Sequence, residues 1–350
     1  MMYAIVTDTH AGVRADATNF ADYQDYFWEH VFFPSLKSRG ITNILHLGDF
    51  FDKRQYISIK TMERVKKTFC RLLKEYDCTL HLIVGNHDVL YRNTNEANSP
   101  DNIFHGYSEV NVITEPLLFD NILMVPWINK ENYATTLDTI SKTEAKYCFG
   151  HFEISGFEMH RGQVCESGMS QTIFDRFALA LSGHFHTRSS KGNITYLGSP
   201  FELTWADYND PKGFHFFDSD AGTLEFVQHN ESMFFRVEYD RENDTRMWLP
   251  YKPESVASKF VKIVVVNKGS AYEFDKWVKE LTSYNPADIQ IIESQVDVTG
   301  VELSVDELEQ QAMSNLEIIK NYVDNLNAEN KKKEVLYNYL KTIYAEAEAV

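Results

Sequence analysis

The sequence predicts an α/β (α+β) fold: a large first domain built on two sheets, then a small β-α-β unit, then C-terminal helices. Three observations predict it. Five short apolar runs each end in a polar cluster opening with Gly or Thr: YAIV before TDTH, ILHL before GDFFD, LHLIV before GNHD, YCF before GH, and LALS before GHFH. The early runs are separated by stretches of helical length, which gives the order strand, helix, strand. From about residue 194 to 239, aromatic and β-branched runs alternate with turns, which reads as antiparallel strands closing a second sheet.

Taken in order, MMYAIVTDTHAG has no basic n-region, and its apolar run is too short for a signal peptide, so it reads as the first strand of a cytoplasmic protein. Helices are expected at 21–38 and 58–76, on either side of the ILHL strand. YRNTNEANSPDN, rich in Asn directly after GNHD, reads as a flexible loop. ITYL, GFHFFD, LEFVQH and MFFRVEY are the later strands, and Gly198-Ser199-Pro200 reads as a turn into the second sheet. DTRMWLPYKPES, with two prolines after a charged run, looks like a linker. KFVKIVVV, a helix at 271–283 and DIQIIES form the β-α-β unit, and amphipathic helices are expected at 304–325 and 330–348. The implied domains are 1–245, 246–300 and 301–350.

At 350 residues the chain exceeds the roughly 250 to 300 at which single cores stop growing. No stretch approaches the ~18 apolar residues of a membrane span, so no membrane partner is expected. The four cysteines have neither CxxC nor zinc-type spacing, which argues for buried free thiols. A net charge of −17 cuts against unaided binding of nucleic acid, whose phosphates are gripped by Lys and Arg. A nucleic-acid substrate would need metal ions, a local basic patch or a partner.

The chemistry sits at the strand exits. Asp8 and His10 are two apart, as are His184 and His186, so in extended chain each pair faces one way. GDFFD adds Asp49 and Asp52 after a glycine that permits a sharp turn. Each motif alone has a bland reading: a hydrogen-bonded turn, a helix cap, a structural histidine. Together Asp8, His10, Asp49, Asn86, His151, His184 and His186 make seven oxygen and nitrogen donors, a set suited to two divalent ions with one carboxylate bridging them.

The series TDTH, GDFFD, GNHD, GHFEISG and GHFH resembles the calcineurin-like metallophosphoesterases, well over residues 3–240 and loosely beyond. Within them, YLGSPFELTWADYNDPKGFHFFD resembles the segment after the last histidine motif of SbcD-type double-strand-break repair nucleases. GHFEISGF, GHFHT and NDPKGF are most similar to the recombination endonuclease subunits of T-even-type phages. The resemblance implies a two-sheet metallophosphoesterase sandwich flanked by helices, with a β-α-β capping domain. It implies that one ion takes Asp8, His10, Asp49 and His186, and the other Asp49, Asn86, His151 and His184. The ions are expected to be Mn²⁺ first, with Mg²⁺, Fe²⁺ or Zn²⁺ as alternatives, and a hydroxide activated by both would attack the phosphodiester.

The resemblance leaves His87 outside the ligand set as a catalytic residue. On extended backbone, successive side chains diverge, so with Asn86 toward the metal His87 would turn to the substrate. Asp52 would orient it, and Asp88 is expected to be structural. The resemblance further implies manganese-dependent exonuclease action on duplex DNA ends, endonuclease action on single strands, and a homodimer. It implies a partner, an SbcC-type SMC-like coiled-coil ATPase gripped by the C-terminal helices, and host cytoplasm if the chain is phage-encoded.

Two alternatives stand beside this. A metallophosphatase or phosphodiesterase acting on a small molecule or protein shares the metal set, but serine/threonine phosphatases carry GDxVDRG and RGNHE where this chain has GDFFDKR and VGNHD. A scaffold without catalysis would normally have lost ligands. The remaining histidines, His30, His46, His81, His105, His160, His215 and His229, are expected to be structural or solvated. Arg14, Lys53, Arg54 and the His160-Arg161 pair are alternatives for phosphate contacts.

Overall fold

In this computed structural model the described residues are 1–160, 163–166, 168–242 and 255–293, with positions 323, 333 and 337 described singly. Met1–Met233 and Phe234–Val350 form two compact units. The expected linker lies outside the described residues except for Ser255, and so do the C-terminal helices except for the three single positions, each of which is helical.

The first unit is a sandwich of two six-stranded sheets. In the first sheet Met2–Val6, Asn43–His46, Thr79–Ile83 and Val110–Ile113 run parallel, and Gly213–Asp218 and Thr223–Gln228 extend it antiparallel from Met2–Val6. In the second, Ile122–Val125, Tyr147–His151, Leu179–Gly183 and Ile194–Tyr196 are parallel, with antiparallel edges at Leu117–Phe119 and Ser189–Lys191. Side chains alternate along each strand. Tyr3, Ile5, Leu45, Leu47 and Ile83 therefore point into the sandwich, where they meet Met124, Tyr147, Phe149 and Leu181 of the other sheet.

The opposite face of the first sheet is covered by helices, so its strands are apolar on both sides. One helical run comprises Thr18–Tyr26, Phe27–Phe32 and Phe33–Arg39. Its middle segment is a wider π turn, placed just before Pro34, whose ring would clash with the carbonyl one turn back in a regular α-helix. Phe27 and Phe32 from this run pack edge-on against Phe214 of the sheet. The second run, Ile59–Val65, Lys66–Cys70 and Arg71–Glu75, starts at Ser58, whose side chain accepts from the Thr61 N–H at 3.1 Å.

The later strands do not close one antiparallel sheet as expected. Ile194–Tyr196 joins the second sheet in parallel with Leu179–Gly183, whereas Gly213–Asp218 and Thr223–Gln228 return to the first. The MFFRVEY strand, Phe234–Asp240, belongs to the second unit, in parallel with Phe260–Asn267. The Gly198 turn likewise leads back toward the first sheet, not into the second.

The second unit has three parallel strands, with Phe260–Asn267 between Phe234–Asp240 and Asp288–Glu293. Helix Ala271–Ser283 makes the crossover and buries Phe274, Trp277 and Leu281 against Val237, Tyr239, Val261, Ile263 and Val265. The four cysteines are free and buried. No helix among the described residues is long and apolar enough to cross a membrane.

Candidate metal centre

Parallel strands of an open α/β sheet deliver functional side chains at their carboxyl ends, and both sheets do so on one rim. The chain leaves Met2–Val6 into Asp8 and His10, Asn43–His46 into Asp49, and Thr79–Ile83 into Asn86; the second sheet supplies His151, His184 and His186. The rim is stitched by main-chain bonds from Asp8 N to Gly48 O (3.0 Å), His10 N to Asp49 O (3.1 Å) and Ala11 N to Phe50 O (2.7 Å). The two sheets are tied by His184 N donating to Asp8 Oδ1 at 3.0 Å, and by His151 Nδ1 donating to Leu47 O at 2.7 Å. Such close approach needs glycine. A Cβ on Gly85 would overlap the Asp49 carboxylate and main-chain nitrogen, and one on Gly183 would overlap Thr7 Oγ1.

Three donor groups result, the third of them, His10, Asp52 and His87, sharing His10 with the first. In the first, Asp8, His10 and His186 converge, with His10 Nε2 and His186 Nε2 3.1 Å apart. In the second, Asp49, His151 and His184 converge; His151 Nε2 lies 3.2 Å from Asp49 Oδ2 and 3.0 Å from Asn86 Oδ1. Asp49 Oδ2 is also 3.9 Å from His10 Nε2, so this carboxylate reaches the first group as well. Asp8, His10, Asp49, Asn86 and His151 are buried, whereas His184 and His186 are partly open to solvent.

Burial on this scale disfavours charge, yet the cluster holds strong charges because they face one another. Burial would raise Asp49, but the imidazoles of His151, His87 and His10 outweigh it and hold the carboxyl well below its usual range. Asp8 is pushed up to about 6, by burial first and then by Asp49. Burial would lower His10 and His151, but Asp52 and Asp49 push His10 up to about 9, and Asp49 does the same for His151. Burial, with His151 beside it, drives His184 down to about 3; burial and His10 hold His186 well below the ordinary histidine value. Those two rings therefore present lone pairs. Neutral imidazoles converging with carboxylates suit a borderline divalent ion, and the glycines leave the donors room to meet.

A profile of the calcineurin-like phosphoesterase family matches residues 1–188. The chain belongs to that family. As a calcineurin-like phosphoesterase it is 31% identical, over 351 aligned residues covering 97% of each chain, to "Exonuclease subunit 1" of Enterobacteria phage T4. Among solved structures it is similar to a dimetal phosphatase from Danio rerio (10% identity, 62% of this chain and 91% of that one, TM-score 0.34). It is also similar to a purple acid phosphatase from yellow lupin (12% identity, 65% and 51%, TM-score 0.37). Likenesses that distant do not bear on substrate. Membership implies divalent ions, and the donors just described fit them.

In this phosphoesterase the donors do not meet by the route expected from strand alternation. Asp8, His10, Asp49 and His184 all have left-handed backbone, with φ of 52°, 44°, 55° and 87°, so none of them is in extended chain. Asn86, His87 and Asp88 form a turn, and it is the turn that separates them. Asn86 and Asp88 are buried and only His87 reaches solvent. Asp88 accepts from the N–H groups of Gly85 (2.9 Å), Phe51 (3.0 Å) and Phe50 (3.3 Å), locking GNHD to GDFF.

Asp52 holds His87 differently from expectation. His87 Nδ1 donates to the Asp52 main-chain carbonyl at 2.6 Å, while the Asp52 carboxylate lies 3.3 Å from His10 Nδ1, outside hydrogen-bond geometry. The loop read as flexible is tied down instead. Asn95 Nδ2 donates to Thr114 O and Trp127 O, Asn129 Nδ2 donates to Asn95 Oδ1, and the Asn98 side chain caps the helix Ser99–Ile103.

Two residues at the rim escaped sequence reading. The Trp127 ring lies 5.3 Å from His184 and 5.9 Å from His151, and the Glu153 carboxylate is 3.9 Å from His184 Nε2. PWIN directly after the strand ILMV, and the glutamate inside GHFEISG, were the available signals. His46, His81, His215 and His229 are buried and belong to none of the donor groups; His46 Nε2 lies 3.0 Å from Oγ1 of Thr9, the residue between Asp8 and His10.

Proposed function

We propose that this chain is the metal-dependent nuclease subunit of a recombination and repair complex, hydrolysing DNA phosphodiesters. The observation that carries the reading is the pair of donor groups sharing Asp49, joined with 31% identity over 97% of the chain to a protein named an exonuclease subunit. Asp8, His10, Asp49 and His186 would hold one ion, and Asp49, Asn86, His151 and His184 the other. Two divalent ions, with Mn²⁺ the first candidate, would acidify a water and clamp the attacking and leaving oxygens of the phosphodiester.

The chain's own residues do the rest. His87 is fixed by its Nδ1 bond to the Asp52 carbonyl, so in its neutral form Nε2 carries the lone pair. From the solvent-facing side of the turn, that lone pair can take up a proton from solvent; once protonated, Nε2 can hydrogen-bond the phosphoryl group and pass the proton to the leaving sugar oxygen, which returns the ring to its neutral form. Arg54 and Arg92, in the loops after GDFF and GNHD, have no hydrogen-bond or ion-pair partner among the described residues, which leaves both guanidinium groups available to substrate phosphates. Assignment of 1–233 to the nuclease, in place of the expected 1–245 because Phe234–Asp240 pairs with Phe260–Asn267, of 234–300 to a capping domain and of 301–350 to an ATPase-binding segment completes the reading. An SbcC-type coiled-coil ATPase would be the partner, and the nuclease would act as a homodimer.

Digestion of labelled linear and hairpin DNA in manganese, with and without the ATPase, tests it. Absence of cleavage in every arm sinks the nuclease reading. Turnover of a nucleotide-ester library in place of DNA would favour the small-molecule phosphodiesterase.

A further inference from the structure

NDPKG looks in sequence like a solvated turn, yet its lysine is one of the most buried charged groups in the protein. Lys212 is 3% exposed. Its ammonium donates to the main-chain carbonyl of His186 at 2.7 Å and is paired with Asp207 Oδ1 at 2.7 Å and Asp210 Oδ2 at 2.9 Å, the last an ion pair outside hydrogen-bond geometry. That carbonyl also accepts from Ser199 N at 3.1 Å, so both of its lone pairs are used. Asp207 is itself fixed, since Oδ2 accepts from Leu203 N at 3.0 Å and Thr204 N at 2.9 Å.

We propose that Lys212 is a positioning residue for the metal centre: clamped by Asp207 and Asp210, it fixes the main chain at His186 and so the aim of that imidazole. The inference rests on the reading that His186 holds an ion. A buried ion triad is weak evidence for stability, because apolar replacements often fold as well. What an apolar side chain could not do is hold a carbonyl. The His186 ring has to meet Asp8 and His10, which come from the other sheet, and a carbonyl at residue 186 held by Ser199 N alone would let its direction spread. Partners that orient metal ligands in this way typically cost 10–100-fold in metal affinity when removed.

The test is manganese binding by calorimetry, with Lys212→Met set beside His186→Ala. Lys212→Met is expected to weaken one of two manganese equivalents about 10–100-fold, the same equivalent that His186→Ala loses. Lys212→Met/Asp207→Asn/Asp210→Asn, which leaves no buried charge unpaired and keeps the acceptor for Leu203 and Thr204, is expected to show the same weakening. A folded variant that binds both equivalents with wild-type affinity overturns the inference. If His186→Ala itself keeps both equivalents, the ligand assignment fails, and that failure is distinct from Lys212→Met failing alone.

Hydrogen exchange on the wild-type protein decides the matter should the variants not fold. Manganese is expected to slow exchange of the Ser199, Leu203 and Thr204 amides relative to those of Thr223–Gln228, because coupling between sites is reciprocal. Unchanged exchange at those three amides overturns the proposal.

Discussion

Replacing His87 by alanine separates catalysis from metal binding, because the residue serves the site through two different groups. Its main-chain N–H donates to Asp49 Oδ1 at 2.7 Å, a bond that alanine keeps. Its ring donates to the Asp52 carbonyl at 2.6 Å and packs edge-on to His10 at 4.9 Å, and alanine loses both. The Asp52 carbonyl is then open to water at the rim, so the folding cost should stay near the ~1 kcal/mol of an ordinary hydrogen bond. The chemical cost is larger. Loss of a positioned proton donor slows such reactions about 10²–10⁴-fold, or roughly 2.7–5.5 kcal/mol of barrier. Single-turnover cleavage of labelled linear DNA at saturating manganese reads the rate, and calorimetry reads the ions. The expected result is two ions bound and a rate lower by at least about 100-fold. Loss of an ion would make His87 a ligand, and an unchanged rate would remove it from the chemistry.

Four other outcomes follow from the same geometry. Asp88→Ala strands three buried N–H groups, each costing about 1–3 kcal/mol, so urea unfolding should show a loss of at least about 3 kcal/mol; a change within ~0.5 kcal/mol would refute its role as the tie between loops. Gly85→Ala forces a Cβ into Asp49 and should weaken manganese binding in a titration, with unchanged affinity counting against the packing argument. Manganese should raise the melting temperature and a chelator reverse it, with about 2.7 kcal/mol gained at 100 times Kd; a melting temperature indifferent to both would mean that the folded centre binds no ion. His215 is pushed down to about 3, by burial first and then by Arg188. The unfolded chain therefore binds one more proton below its value of about 6.5, and stability present above that pH falls as pH drops toward 3, by up to about 1.4 kcal/mol per pH unit. His215→Phe should flatten that slope in denaturant titrations between about pH 6 and 4, and an identical slope would show that His215 is not the group responsible.

The strand exits were legible because an apolar run that stops at Gly or Thr is a local pattern, and every donor lies within four residues of such a stop. Sheet membership was not, since GFHFFD and MFFRVEY have the same propensity whether they join the first sheet or the second unit; partner strands far along the chain decide it. Lys212 was hidden for the same reason, because a lysine between proline and glycine reads as exposed until its two carboxylates and the His186 carbonyl are brought around it. Backbone conformation was the deeper omission. Left-handed φ at Asp8, His10, Asp49 and His184 costs about 1–3 kcal/mol per residue and persists only where the surroundings over-determine it. The rim supplies that constraint through the Asp8–Gly48 and His10–Asp49 main-chain bonds and the Ala11–Phe51 bridge. Glycine would relieve the strain at all four positions but would bring no oxygen or nitrogen donor. Strained carboxylates and imidazoles where glycine would be relaxed are what a centre built for its side-chain donors requires, and that argument is independent of the motif spacing that first suggested one.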